Sequence, residues 1–352
     1  MLQVETNDAI ALLQQLIAIP SFSREETAAA NFLERYIEIK GYVASRKDNN
    51  VWILSPGFDS ARPTILLNSH IDTVKPVAGW VRDPFSPTNE SGKLFGLGSN
   101  DAGASVVSLL HAFFYLTQKQ QTYNLIFAAT AEEEVSGKNG IESLLQELPK
   151  IDFAIVGEPT QMNLAVAEKG LMVLDCVATG KAGHAARNEG DNAIYKALQD
   201  IEWFRTHDFI KKTSLLGPVK MSVTEIAAGT QHNVVPDKCS FVVDVRSNEM
   251  YSNDEILEEI CRNVACDVQA RSTRLSSTAT PLDHPIVKRG RELNRTIFGS
   301  PTLSDQALMS FPSLKMGPGD SARSHTADEY ILTNEIVEAV EIYAQLLDGL
   351  II

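Results

Sequence analysis

Apolar residues at Ile10, Leu13 and Ile17 recur at helical spacing, and the stretch from Ser23 to Tyr36 repeats that pattern after the turn signal Pro20-Ser21. The chain is therefore expected to open on two amphipathic helices. From Asn50 the period changes, because Val51 to Leu54 and Thr64 to Leu67 are β-rich runs bounded by Ser, Pro, Gly and Asp. A helix from Ala104 to Thr117, a strand from Tyr123 to Thr130, a helix from Ile141 to Leu148 and a strand from Phe153 to Val156 then follow in alternation. Such alternation predicts an α/β domain whose mixed, mostly parallel sheet is covered by helices.

After Lys169 the pattern becomes strand (Leu171 to Ala178), helix (Asn192 to Phe204), two strands (Lys220 to Ile226, Cys239 to Val245), helix (Asp254 to Val264) and strand (Asp267 to Leu275). This β-α-β-β-α-β order is that of a ferredoxin-like α+β domain. Beyond Pro281 the first pattern returns, with a helix from Pro285 to Phe298, a strand from Ser313 to Met316 and a closing helix from Asn334 to Leu350. The expectation is a discontinuous domain, residues 1–168 and 280–352, interrupted by a second domain, residues 169–279.

With 352 residues the chain is long enough for two domains with cores of their own. Acidic residues number 45 against 31 basic ones, a formal charge of −14, and no stretch concentrates Lys and Arg. Nucleic acids and anionic membranes are therefore not expected as partners. Cys176, Cys239, Cys261 and Cys266 form no Cys-x-x-Cys pair, which disfavours a structural zinc ribbon. The N-terminus carries Glu5 and Asp8 where a secretory signal would carry basic residues, and no apolar run approaches the length of a membrane span. A reduced, cytoplasmic protein is expected.

In an open α/β sheet ligands collect at the carboxyl ends of the strands, so the residues that follow each run are informative. Thr64 to Asn68 leads into Ser69-His70-Ile71-Asp72, and Lys93 to Leu97 into Gly98-Ser99-Asn100-Asp101. Tyr123 to Thr130 leads into Glu132-Glu133-Glu134, Phe153 to Val156 into Gly157-Glu158, and Ser313 to Met316 through a glycine loop to His325. Two histidines and several carboxylates, without thiolates, suit catalytic divalent metal, zinc above all, and the surplus of carboxylates points to two ions. Each residue also has a plainer reading. A triple Glu can be a solvated face, Asp101 can cap a helix beginning at Ala102, and His111, His207 and His284 read as structural.

Several motifs taken in order resemble the M20 family of metallo-aminoacylases and peptidases. They are Ser69-His70-Ile71-Asp72-Thr73-Val74, Gly96-Leu97-Gly98-Ser99-Asn100-Asp101-Ala102-Gly103, Thr130-Ala131-Glu132-Glu133-Glu134, Val156-Gly157-Glu158-Pro159-Thr160, and Ser324-His325-Thr326-Ala327-Asp328-Glu329-Tyr330. Leu97 stands where the family often has Arg. The resemblance implies a zinc-hydrolase-type fold with an inserted lid and dimerisation domain. It implies two Zn2+ ions, with Co2+ able to replace them, one held by His70, Asp101 and Glu158 and the other by Asp101, Glu134 and His325, Asp101 bridging. Glu133 would be the general base and Asp72 the carboxylate that orients His70. Three consecutive Glu leave the register open by one, and alignment on Thr130-Ala131 favours Glu133 and Glu134.

By the same resemblance His184, in Gly183-His184-Ala185-Ala186, would stabilise the oxyanion in the partner subunit's site of a homodimer. Asn233 and Arg246 fall at substrate-contacting positions, Arg being suited to a free carboxylate. Gly317 and Gly319, in Gly317-Pro318-Gly319-Asp320, could offer backbone N–H groups to that carboxylate or form a plain turn. The segments Thr302-Leu303-Ser304-Asp305 and Gly317-Pro318-Gly319-Asp320-Ser321 look most like the deacylases of N-acyl-ornithine, N-acyl-citrulline and N-acyl-lysine. The expected substrate is a small N-acyl amino acid, N2-acetylornithine first, with N-acetylcitrulline or a succinylated amino acid such as succinyl-diaminopimelate next. An aminopeptidase or dipeptidase, and a non-catalytic metal-binding dimer, are the remaining alternatives.

Overall fold

A computed structural model describes residues 2–187 and 189–352. In chain order the larger part begins α1 (Leu2–Ile17), α2 (Thr27–Ile39), β1 (Ser45–Lys47), β2 (Asn50–Leu54), β3 (Thr64–His70), β4 (Thr88–Glu90), β5 (Lys93–Phe95), α3 (Ala104–Thr117) and β6 (Asn124–Thr130). It continues with α4 (Ile141–Leu144), β7 (Phe153–Val156) and β8 (Leu164–Glu168). Next come β9 (Leu171–Thr179), β10 (Gly183–His184), α5 (Ala193–Thr206), β11 (Lys220–Ala228), β12 (Val234–Val235), β13 (Lys238–Arg246), α6 (Asn253–Asn263) and β14 (Asp267–Ala270). The chain closes with β15 (Thr278–Ala279), α7 (Pro285–Glu292), β16 (Ile297–Ser300), β17 (Ser313–Lys315), β18 (Tyr330–Leu332) and α8 (Thr333–Leu347).

Two compact units result. One comprises residues up to Val166, Thr280–Phe298 and Ser304–Ile352, the other Ala167–Ala279 and Gly299–Leu303. The larger unit is built on a sheet in which β6, β3, β7 and β17 lie side by side and parallel, with β2 and β8 antiparallel at their flanks. Every residue of β3, β6 and β7 is buried, as expected of strands covered on both faces. On one face α3 packs against β3, β6 and α8, and twelve of its fourteen residues are buried. On the other face Leu66, Ile126, Ala128, Ala154 and Val156 meet Ile141, Leu144 and Met309. Each such Leu or Ile contributes about 1.5–3 kcal/mol by leaving water. Because the central strands are parallel, their carboxyl ends share one edge, and the residues that follow them gather there.

The smaller unit orders its sheet β11-β13-β9-β14, all pairs antiparallel, which with α5 and α6 is the ferredoxin-like arrangement. Here β9 and β13 alternate strictly, burying Met172, Leu174, Cys176, Ala178 and Cys239, Phe241, Val243, Val245 beneath the helices. Ser252 and Glu255 form a capping box that starts α6.

Three elements differ from expectation. Helix α4 is a single turn, its continuation replaced by i→i−3 turns before Pro149. Helix α7 stops at Glu292, where Asn294 takes a left-handed φ of 59° and Arg295 N–H closes onto Gly290 O, so that Ile297–Ser300 emerges as a strand. Strand β8 lies in a run for which the periodicity predicts no element. It pairs with both β17 and β15.

Candidate metal centre

His70 is the last residue of β3 and its side chain is 1% exposed. Its Nδ1–H donates to the backbone carbonyl of Asp72 at 2.9 Å, which turns Nε2 toward Asp101 Oδ1 (3.2 Å), Glu158 Oε1 (3.7 Å) and Glu133 Oε2 (4.0 Å). The Asp72 carboxylate lies 3.5 Å from Nδ1 and does something else as well. It accepts from Glu133 N–H (3.0 Å), Glu134 N–H (3.1 Å) and the Ser23 hydroxyl (2.7 Å), so this buried group fixes the backbone that presents the two glutamates. Ser23 was not singled out in the sequence; its only signal there is proximity to Pro20-Ser21.

Asp101 stands between the two histidines, its Oδ2 being 3.7 Å from His325 Nε2. It caps no helix. It lies in a π-type turn, Ser99–Gly103, and α3 begins only at Ala104. Glu134 brackets His325 Nε2 with both oxygens, at 3.0 and 3.2 Å. Glu132, at a left-handed φ of 57°, sends its carboxylate away to Asn139, accepting from Nδ2 at 3.0 Å, while its own N–H donates to the buried Glu26. The structure thus brings together two triads that share one residue: His70, Asp101 and Glu158, and Asp101, Glu134 and His325, the ligand atoms within each lying within 4.8 Å of one another. Glu133 belongs to neither.

The electrostatics of this edge ask for positive charge. Burial pushes His70 down, yet Glu133, Asp101, Asp72 and Glu158 outweigh it and hold the imidazole well above its ordinary value. Burial lifts Glu133 well above the usual carboxylate range, with Glu158, Asp305 and Glu134 adding to it against the opposing charge of His70. Burial likewise pushes Glu158 up to about 8, and the hydrogen bond that His325 donates to Glu134 holds the imidazole up to about 9. Glu158 Oε1 is buried without a hydrogen-bond partner. An unpartnered buried oxygen within a set of imidazoles and carboxylates fits a divalent cation of the zinc or cobalt kind.

Asp305, noticed in the sequence only as part of a branch motif, is 4% exposed. Its Oδ2 accepts from Asn68 (2.7 Å) and the Thr130 hydroxyl (2.8 Å), tying together the ends of β3 and β6. Gly317 has a different task from the expected one. Its N–H is committed to the Thr160 hydroxyl at 3.0 Å, and a Cβ there would meet Glu158 O at 2.5 Å, so it secures the close approach that seats Glu158. Gly319, at φ 86°, leaves room for Asn100 Oδ1, which a Cβ would meet at 2.2 Å.

His184, Asn233 and Arg246 belong to the smaller unit. His184 is exposed on β10, paired with Val234, and its Nδ1 accepts from Ala186 N–H. Asn233 O accepts from Ala185 N–H, and the Arg246 fork engages Asp244 at 2.8 and 3.0 Å. Three other histidines have structural partners. His111 bonds Val107 and Tyr36, His207 stacks on Trp203 and meets Glu259, and His284 caps α7 and stacks on Phe153.

Two triads sharing a carboxylate at the carboxyl edge of an α/β sheet define the two-metal hydrolase class. The chain belongs to peptidase family M20/M25/M40, whose sequence profile its residues 66–349 match. It is accordingly a metal-dependent hydrolase of the amidohydrolase and peptidase kind. A Mycobacterium tuberculosis protein assigned by name to the succinyl-diaminopimelate desuccinylases is 30% identical over 97% of this chain and 98% of its own length. The acetylornithine deacetylase of Proteus mirabilis is 28% identical over 97% and 96%. In fold, the chain is similar to the aminopeptidase PepT of Bacillus cereus, with a TM-score of 0.79 and 18% identity over 97% of this chain and 98% of that one. A dinuclear metal-binding peptidase of the M20 family from Bacillus subtilis superposes with a TM-score of 0.75 and 16% identity, covering 98% of each chain. No helix among the described residues is long and apolar enough to cross a membrane.

Proposed function

We propose that the chain hydrolyses the amide of an N-acyl amino acid and that its substrate is N2-acetylornithine, in arginine biosynthesis. The observation that supports this most directly is Glu133, a part-buried carboxylate beside both triads and part of neither, with a raised proton affinity. His70, Asp101 and Glu158 would hold one zinc ion and Asp101, Glu134 and His325 the other, cobalt substituting; together the ions would polarise the acyl carbonyl and acidify a water. Glu133 takes a proton from that water as its oxygen bonds to the acyl carbon, and returns the proton to the nitrogen as the C–N bond breaks. A carboxylic acid and a free amine leave. Asp72 keeps Glu133 and Glu134 in place through their backbone N–H groups.

His184 of a second copy is assigned to the oxyanion, in a homodimer formed through the smaller unit acting as a lid. Asn233, Arg246 and the Gly319 turn are assigned to the substrate carboxylate, Arg246 exchanging Asp244 for it. A cytoplasmic location accords with four free cysteines.

A second reading, removal of a succinyl group, is favoured by the 30% identity to a protein named as a desuccinylase. A panel of N2-acetylornithine, N-acetylcitrulline, N-succinyl amino acids including succinyl-diaminopimelate, and dipeptides separates these readings. Highest kcat/KM on N2-acetylornithine is expected. Preference for succinyl substrates transfers the assignment to the second reading, cleavage of dipeptides alone makes the chain a peptidase, and no hydrolysis with two ions bound makes it a non-catalytic metal-binding protein.

A further inference from the structure

Asp101 is the only residue common to both triads, so whatever fixes Asp101 governs both at once. Its own backbone has little to fix it. Asp101 and Ala102 depart from helical φ and ψ within the turn, Gly98 before it is left-handed at 73°, and neither this turn nor α3 has a side-chain cap. The support comes from a residue more than two hundred positions away.

Glu329 is 2% exposed and its carboxylate accepts three backbone hydrogen bonds from this one turn. Oε1 takes Asn100 N–H at 2.8 Å and Asp101 N–H at 2.9 Å; Oε2 takes Gly98 N–H at 3.1 Å. The Glu329 backbone carbonyl takes a fourth, from Gly96 N–H at 3.0 Å. These donors would otherwise be buried and unmet, and a carboxylate is the strongest acceptor available for them. The same segment carries His325, four residues earlier. Asn100 closes the link from its side, donating to Asp320 O (3.1 Å) and the Ser324 hydroxyl (3.2 Å) and accepting from Asp320 N–H (3.1 Å). The turn that delivers Asp101 and the segment that delivers His325 are therefore one hydrogen-bonded piece.

We propose that Glu329 is a positioning residue of the metal centre: by gathering the N–H groups of Gly98, Asn100 and Asp101 it sets the shared carboxylate between the two triads, so that its loss weakens both cation sites together. This rests on the two-metal reading above. It differs from a general structural role in its reach, because a local fold defect lowers the melting temperature without touching the affinity of two separate sites in the protein that remains folded.

The test uses the full chain as wild type, Glu329→Ala, Glu329→Gln and, as a control in the same segment, Glu335→Gln, which removes the charge facing Arg323 while keeping a side-chain oxygen for Leu332 N–H at the start of α8. Each is titrated with Co2+ followed by its visible absorption, and amide hydrogen exchange is read over residues 97–104 before metal is added. Glu329→Ala should bind both ions at least about tenfold more weakly and exchange those amides at least about tenfold faster, with Glu329→Gln intermediate and Glu335→Gln like wild type. Wild-type cobalt affinity and exchange in folded Glu329→Ala overturn the assignment. If that variant does not fold, Glu329→Gln decides: weakening of both ions supports the assignment, and wild-type affinity, or weakening of one ion only, overturns it. A wild-type chain that takes up no pair of cobalt ions overturns the two-metal reading itself.

Discussion

His70 and His111 are equally deep, each 1% exposed, yet they occupy opposite electrostatic worlds. His70 closes strand β3 among carboxylates that hold its imidazole well above its ordinary value despite burial. His111 lies in the middle of α3, donates from Nδ1 to Val107 O at 2.8 Å and accepts at Nε2 from the Tyr36 hydroxyl at 3.2 Å. Burial pushes its pKa down to about 4, with Lys40 also lowering it and Asp8 opposing. Depth therefore does not mark a functional histidine. What separates the two is the company of anions, which converts one buried ring into a group that welcomes a cation and leaves the other neutral.

The sharpest way to break this contrast is to remove each ring in turn. His70→Ala should leave a folded chain that keeps at most one ion and loses turnover on the order of 10⁴-fold, since several kcal/mol of transition-state stabilisation leaves with the cation. Elemental analysis together with steady-state kinetics checks this, and full turnover with a single ion would remove His70 from the centre. Glu133→Gln takes away one of the carboxylates that surround His70 while sparing both triads. We expect about a 10³-fold fall in kcat with two ions retained, and an unchanged kcat would place the base elsewhere.

His184→Ala extends the comparison to an exposed histidine. A fall in kcat of about 10²-fold with intact metal content is expected, together with recovery in mixed dimers with Glu133→Gln; mixed dimers without activity would argue against supply in trans. The smallest effect concerns His111. Its folded-state pKa of about 4 lies below the ordinary 6.5, so the unfolded chain binds the extra proton first as the solution is acidified. Stability is complete above pH 6.5 and falls by about 3 kcal/mol on approach to pH 4. Denaturant melts of wild type and His111→Phe should show a shallower pH slope in the variant between those values, and parallel slopes would reassign the acid sensitivity.

Strands β3, β6 and β7 were legible because strands buried on both faces carry apolar runs, as in Leu125 to Ala129. Strand β8, Leu164–Glu168, ends in a buried glutamate, which reads as a connection. Residues that follow strand ends were legible for a topological reason, since any parallel sheet brings them to one edge. Their supports were not. Asp72 grips the N–H groups of Glu133 and Glu134, and Glu329 those of Gly98, Asn100 and Asp101. A backbone N–H is the same on every residue but proline, so no side-chain pattern announces such a partner. The Asp72 carboxylate lies 3.5 Å from the Nδ1 of His70, and its own peptide carbonyl is the nearer acceptor at 2.9 Å.

Ser23 and Glu26 tie the N-terminal segment to the metal centre. Both precede strand β1, yet Ser23 completes the Asp72 carboxylate and Glu26 receives the N–H of Glu132, one residue before the proposed base. A protease cut in the stretch between α2 and β1 would leave every imidazole and carboxylate of the centre on the larger fragment while severing the covalent link to the footing beneath them. Loss of activity from such a cut would leave no trace in an inventory of catalytic residues.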